Sequence, residues 1–208
     1  MLDLYQSGEY VTRIIYEKII SEQMRRLNEI KDPSIIYVTD LVSCTHRYHM
    51  KKAYPELSIL FEPAAILGDI AHWGLEELLR SKNLEVEVEA SRSFNVDGKV
   101  YLVKGRVDAV DRIRGLVVEI KTARSAANLP RTHHVKQLNV YLEILGLEEG
   151  VLVYITPEKI LEYVVVKEHI DLESEIRELV RDSYHPKYEW ECQYCVYKKM
   201  CPYSVYTK

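Results

Sequence analysis

Two β-branched runs, Val100 to Val110 and Leu116 to Thr122, lie five residues apart in the chain, and this pairing constrains the fold more than any other feature. Their mostly alternating pattern predicts antiparallel neighbours. A loop of Arg112 to Gly115, with glycine taking a final positive φ, sets the register and places Asp108 opposite Glu119. Directly opposed residues share a face, with Cβ atoms about 5 Å apart. Lys121 is two positions further along on that face, while Val118 and Ile120 point to the other side, into a core. A three-residue loop would send the two carboxylates to opposite faces.

Two carboxylates and an ammonium so placed can hold a hard divalent cation against a phosphodiester and keep a positive charge beside the attacking water. A Glu-x-Lys triplet alone is weak evidence. With 23 Glu and 15 Lys the chain contains a second copy, Glu29-Ile30-Lys31, which ends a helical stretch and has neither a strand nor an aspartate upstream. Context separates the two.

At 208 residues and 47% apolar, the chain can bury one full core, and no stretch approaches the ~20 apolar residues of a membrane span. The first residues lack the pattern of a secretory signal, so a cytoplasmic protein without membrane contact is expected. Only 5 Asn and 4 Gln accompany the many Glu and Lys, a balance found in heat-adapted proteins. The net charge of −4 argues against a broad surface coated by nucleic acid. A small basic groove remains available to Arg47, Lys51 and Lys52, to Arg124 and Arg131, or to Lys187, Lys198 and Lys199.

Helical periodicity predicts a helix over 9–30, closed by Asp32-Pro33. A second, capped by Thr39 or Asp40, should run to about Lys52, and a third should cover 62–81. Strands are expected at 84–94, 99–110 and 116–122. A helix at 132–146 should end on Gly146, followed by a hairpin of 151–156 with 160–166 and a helix over 169–183. This order predicts an α/β protein with one mixed sheet flanked by helices, in a single domain over 1–208. Within it, 1–52 is an N-terminal helical part carrying Cys44, 53–184 the main body, and 185–208 a tail.

That tail holds Cys192-x2-Cys195-x5-Cys201. Disulfides do not suit a cytoplasmic protein, and a tail without a core of its own needs a metal group to order it. With Cys44 as fourth ligand, both ends of the chain would be joined. Zinc and an iron–sulfur cluster both accept four thiolates, and spacing alone leans slightly to zinc. Elsewhere, Gly68-x3-His72 and Glu76 share one helical face, and Gln137 and Tyr141 stand at i and i+4 on the helix over 132–146.

In order along the chain, Cys44, Gly68-x3-His72, Gly105-Arg-Val-Asp108, Glu119-Ile-Lys121, Gln137-x3-Tyr141 and Cys192-x2-Cys195-x5-Cys201 resemble RecB-type nucleases of the PD-(D/E)xK superfamily. Within these they look most like the CRISPR-associated exonucleases that carry an iron–sulfur cluster (Cas-four). The resemblance runs from residue 44 to 201. It implies a restriction-endonuclease-like core and a cluster on Cys44, Cys192, Cys195 and Cys201, 4Fe–4S ahead of 2Fe–2S, with zinc as the alternative. It implies Mn²⁺ or Mg²⁺ on His72, Asp108, Glu119 and the Ile120 backbone carbonyl, with Lys121, Gln137 and Tyr141 completing a catalytic set. It implies cutting of single-stranded DNA from a 5′ end and trimming of new spacers for the CRISPR integrase complex; a homo-oligomer is open to the chain, but the sequence does not decide its oligomeric state. Thr45 departs from the proline that many relatives have after the first cysteine. Two other readings compete: a cluster-scaffolded DNA-binding adaptor without activity, and a DNA-repair nuclease outside CRISPR.

Overall fold

A computed structural model describes residues 8–59 and 63–205. Helix α1 (Tyr10–Lys31) leads into a three-residue strand β1 (Ile35–Tyr37), a single turn α2 (Val38–Leu41), α3 (Thr45–Ala53), a 3₁₀ turn at Pro55–Ser58 and α4 (Pro63–Arg80). Three strands follow, β2 (Glu85–Val96), β3 (Lys99–Asp111) and β4 (Leu116–Thr122). Then come α5 (Thr132–Leu145), β5 (Glu149–Ile155), β6 (Ile160–Val166), α6 (Leu172–Val180) and a last turn α7 (Glu191–Tyr194).

The six strands form one mixed sheet, as the alternation of runs predicts. Its order is β1-β3-β4-β5-β6, with β2 also on β3. Strand β3 has three partners. Strand β2 lies along nearly its whole length, from Val96↔Lys99 to Glu85↔Val110. Its other edge is therefore shared by β1, at Leu102 to Lys104, and by β4, at Ala109 to Asp111. Between these two contacts the edge of β3 from Gly105 to Asp108 opens into a fork.

Helices cover both faces. Leu138 and Leu142 of α5 and Ile176 and Leu179 of α6, all fully or almost fully buried, pack on Val103, Val117 and Leu152. On the opposite face Leu75 and Leu79 of α4 cover Ala109, Val118, Ile120 and Val153. Ile120 is wholly buried, which contributes about 1.5–3 kcal/mol. Gly146 closes α5 in the left-handed conformation (φ 67°), as its position in the sequence suggests.

Three local expectations are corrected. The helix expected from Thr39 to about Lys52 is broken. The Asp40 carboxylate accepts the Tyr37 N–H at 3.0 Å and starts one turn, the Ser43 hydroxyl donates to Thr39 O, and the chain then extends at Cys44 before α3. Strand β1 escapes periodicity because three residues carry too little pattern. Helix α6 is shorter than 169–183: Asp171 caps its start by accepting the Ser174 N–H at 3.0 Å, and Asp182 at φ 55° ends it. The expected start of α4 at residue 62 lies outside the described residues.

The tail and the segment just before it, from Asp182 on, are bound to α3 and its cap by polar contacts. The Thr45 N–H donates to Tyr184 O at 2.9 Å, the Thr45 hydroxyl reaches Asp182, and the His46 ring lies 2.6 Å from the same carboxylate. Proline at 45 would lack that N–H. Buried Glu191 accepts the backbone N–H groups of Cys44 and Tyr188, each at 2.8 Å. Among the described residues no helix is long and apolar enough to cross a membrane.

Candidate active site

The fork in β3 is where the acidic side chains collect. The hairpin register is the one its loop length predicts: Ala109 pairs with Val118 and Asp111 with Leu116, around a loop closed by Gly115 at φ 65°. One step beyond the last pair, Asp108 and Glu119 face the opening. The Asp108 carboxylate accepts the Ile120 N–H at 2.5 Å with Oδ2, while Oδ1 lies 3.3 Å from His72 Nδ1 on α4. Burial disfavours the His72 imidazolium, but Asp108 outweighs it and raises the ring's pKa.

Glu119 sits deeper. Its Oε1 accepts from Lys121 Nζ at 2.6 Å and from Gln137 Nε2 at 2.9 Å, and Lys121 also donates to Gln137 Oε1 at 3.1 Å. Oε2 of Glu119 is buried and has no hydrogen-bond partner. Burial pushes the Glu119 carboxyl up to about 7, with Lys121 opposing and Asp108 adding to the rise. Burial also works against the Lys121 ammonium, but Glu119 and Asp108 prevail and hold its pKa above the ordinary value. Lys121 is thus a fixed positive charge.

Tyr141 reaches the same edge from α5, its hydroxyl donating to Arg106 O at 3.3 Å. The ring occupies the space left by Gly105, where an added Cβ would come within 2.7 Å of Tyr141 Cε1. Gly68 has a related role on α4, where a Cβ would lie 3.1 Å from Thr122 Oγ1.

Of the residues singled out from the sequence, the fold brings His72 to Asp108, and Glu119 to Lys121 and Gln137. Glu76 was seen only as a helical neighbour of His72. The ligand atoms of His72, Glu76 and Asp108 lie within 4.8 Å of one another, a group that does not extend to Glu119. The signal for Glu76 was its place one turn beyond His72. A recess of about 200 Å³ opens beside these three, between α1 and α4, with Arg26, Glu87 and Arg106 on its wall. The donor set of oxygens, one imidazole and an orphaned buried carboxylate oxygen fits a divalent cation.

The four cysteines line a second, narrow recess, from Cys44 at the start of α3 to Cys201 in the tail. All are free thiols. Among the described residues, no three of their sulfurs close to within 4.8 Å of one another. Burial pushes the Cys44 thiol up to about 11 and raises Cys201 as well.

Residues 75–202 match the PD-(D/E)XK nuclease superfamily. The chain is 44% identical over 202 residues to the CRISPR-associated exonuclease Cas4 of Saccharolobus solfataricus, covering 92% of this chain and 98% of that protein. The crystal structure of SSO0001 superposes with a TM-score of 0.89 at 40% identity, over 97% of this chain and all of that one. An alkaline exonuclease from Laribacter hongkongensis, 9% identical, shares the fold alone, with a TM-score of 0.52 over 80% of this chain and 90% of its own. Fold, fork and relatives agree, and the chain belongs to the CRISPR-associated Cas4 exonucleases of the PD-(D/E)XK nuclease superfamily.

Proposed function

We propose that this nuclease degrades single-stranded DNA from its 5′ end in a divalent-metal-dependent reaction, in the trimming of new spacers before their integration into a CRISPR array. The observation that carries the metal-dependent hydrolysis is the fork itself, where Asp108 and the orphaned Glu119 oxygen face one opening beside a buried, protonated lysine. The exonuclease activity rests on the Cas4 relative's description as a CRISPR-associated exonuclease, and the single-stranded substrate, its polarity and the step in spacer acquisition rest on the resemblance carried by the sequence motifs.

A divalent cation bound at the fork would supply polarisation of the scissile phosphate and acidification of the attacking water. His72, Asp108 and Glu119 would hold it through their side chains. The N–H and C=O of one residue in a strand point to the same edge, so the Ile120 carbonyl is turned toward the fork along with the N–H that Asp108 accepts. Lys121, oriented by Glu119 and Gln137, stabilises negative charge developing on the attacking oxygen and the phosphate. Tyr141 holds the open edge of β3 through Arg106 O and so positions Asp108. Imidazole among the ligands favours manganese over magnesium. Trp190, stacked on Tyr188 and beside His133, offers exposed aromatic faces for unpaired bases.

The cysteine recess takes an iron–sulfur cluster in this reading. Tetrahedral zinc with sulfurs at ~2.3 Å would draw all four to within about 3.8 Å of each other, closer than three of them come here. The cluster's task is to bind the tail to α3.

The deciding experiment follows 5′- and 3′-labelled single strands with Mn²⁺, comparing wild type with Asp108→Ala. Shortening from the 5′ end by wild type only is the expected result. Equal cutting by Asp108→Ala would remove the fork from the mechanism, and shortening from the 3′ end would reverse the polarity.

A further inference from the structure

We propose that His46 and Ser204 donate hydrogen bonds to the sulfide ions of the cluster in the cysteine recess and thereby raise its reduction potential. The inference rests on the iron–sulfur reading above. It adds to the tethering of the tail a control over how readily the cluster takes up an electron.

Two buried polar atoms carry it. His46 Nε2 and Ser204 Oγ are shielded from solvent and have no hydrogen-bond partner among the described residues. Both residues line the recess of Cys44, Cys192, Cys195 and Cys201. A buried donor left unsatisfied costs about 1–3 kcal/mol, so an acceptor belongs in that recess. The cysteine sulfurs do not supply it, since neither atom bonds to one. Zinc on four thiolates would bring no further acceptor. An iron–sulfur cluster brings sulfide ions of its own, and these accept hydrogen bonds.

The His46 ring is held from two sides. Its Nδ1 lies 2.6 Å from Asp182 Oδ2, and the ring meets that of Tyr203 edge-on at 4.8 Å. Tyr203 is itself backed by the His185 ring at 3.6 Å. A carboxylate only accepts, so Nδ1 carries the hydrogen of that bond, and Nε2 on the other side of the imidazole is left for the recess. Donation from both nitrogens belongs to the imidazolium, whose charge is balanced by the Asp182 carboxylate and by an anionic cluster. Ser204 follows Cys201 by three residues, its N–H 3.4 Å from Cys201 O, and this turn returns it to the recess.

The backbone adds donors at two of the sulfurs. Burial raises the Cys44 and Cys201 thiols, and against it the N–H groups of Arg47 and His46 favour the Cys44 thiolate and that of Tyr203 favours the Cys201 thiolate. Arg47 and Lys198 stand on the same wall, while both oxygens of Glu191 are taken by the Cys44 and Tyr188 peptides. Tethering needs the four thiolates alone. Donors aimed past them bear on the electron, because a reduced cluster carries one more negative charge and accepts a hydrogen bond more strongly. Removing such a donor lowers the potential.

The test is a dithionite titration with redox mediators of anaerobically purified, cluster-bearing protein, followed by visible absorbance and by the paramagnetic resonance of the reduced cluster. At a fixed potential the reduced-to-oxidised ratio should fall about tenfold in His46→Leu, a shift of about 59 mV for one electron, and about threefold in Ser204→Ala. Ser204→Thr keeps the hydroxyl and His46→Gln keeps an N–H donor, and both should stay closer to wild type. Deuterium oxide should shift the Fe–S stretching bands of wild type in the resonance Raman spectrum, and shift those of the Leu and Ala variants less. If His46→Leu assembles no cluster, the Ser204 pair decides. Unmoved potentials and undiminished deuterium shifts, or equal losses in Ser204→Thr and Ser204→Ala, overturn the inference and leave the cluster reading intact. A colourless wild type carrying zinc would remove the cluster reading itself, and this inference with it.

Discussion

Asp108 takes the place of a strand partner for Ile120, accepting its backbone N–H at 2.5 Å where the β3–β4 pairing has just ended at Ala109↔Val118. One side chain thus ends a ladder and founds a site. The carboxylate is held in place by the peptide it satisfies, and its other oxygen is left for chemistry.

Substitutions at 108 should separate these two tasks. Asp108→Ala removes charge and acceptor, leaving the Ile120 N–H unpaired at about 1–3 kcal/mol. Asp108→Asn retains an acceptor and should unfold within about 1 kcal/mol of wild type. Both should lose at least about a hundredfold in cleavage. Urea unfolding beside a nuclease assay reads the split, and an Asn variant as unstable as Ala would contradict it.

Gly105→Ala should strain the site from outside it. A Cβ 2.7 Å from the Tyr141 ring costs about 1–3 kcal/mol and pushes the tyrosine off Arg106 O. Tyr141→Phe alone loses one hydrogen bond, about 0.5–1.5 kcal/mol. Adding Tyr141→Leu to Gly105→Ala should recover stability without recovering cleavage, a coupling that a double-mutant cycle measures.

Lys121→Met leaves the Glu119 carboxylate buried without its cation. In the absence of divalent metal this should destabilise the protein by about 3–5 kcal/mol, and Glu119→Gln with Lys121→Met should be more stable than Lys121→Met alone. Denaturation in chelator compares them; equal stabilities would mean that the pair is not coupled.

Asp182 predicts the acid limb of stability. Burial disfavours its charge, but the hydrogen bonds from His46 and Thr45 prevail and depress its pKa below 3.8. A carboxyl depressed on folding contributes stability that is fully present above its unfolded pKa and lost as pH falls through the folded one. Wild type should therefore exceed Asp182→Asn in melting temperature at pH 6, and the gap should close as the pH drops below about 4. A gap independent of pH would assign the effect to packing.

With the proposed iron–sulfur cluster on the four cysteines, Cys195→Ala should remove its visible absorbance and free the tail, since the cluster would join residue 44 to residue 201 across a loop worth about 4–5 kcal/mol in the chain-entropy model. Proteolysis should then cut first within 185–205. Loss of colour with an undisturbed tail would mean that Glu191 and Thr45 suffice to hold it.

The local part of this site was legible in the amino-acid sequence. A four-residue loop ending in Gly115 admits one register, and period-two alternation then decides which side chains of Leu116 to Thr122 share a face with Asp108. Spacing on a helix likewise made His72 and Glu76 neighbours. What these rules leave open is the relation between elements. Whether α4 turns His72 and Glu76 toward Asp108 depends on Leu75 and Leu79 packing on Ala109 and Ile120, contacts made across thirty or more residues of chain. The break that frees Cys44 shows the same dependence, since Asp40 serves the Tyr37 peptide and the Cys44 N–H is satisfied by Glu191 far along the chain. Loop length and periodicity act over a few residues, so the sequence by itself determined the hairpin and the candidate ligands. Only side-chain packing in three dimensions decided that Glu119 is buried with Lys121 and Gln137 while Glu76 stands with His72 and Asp108.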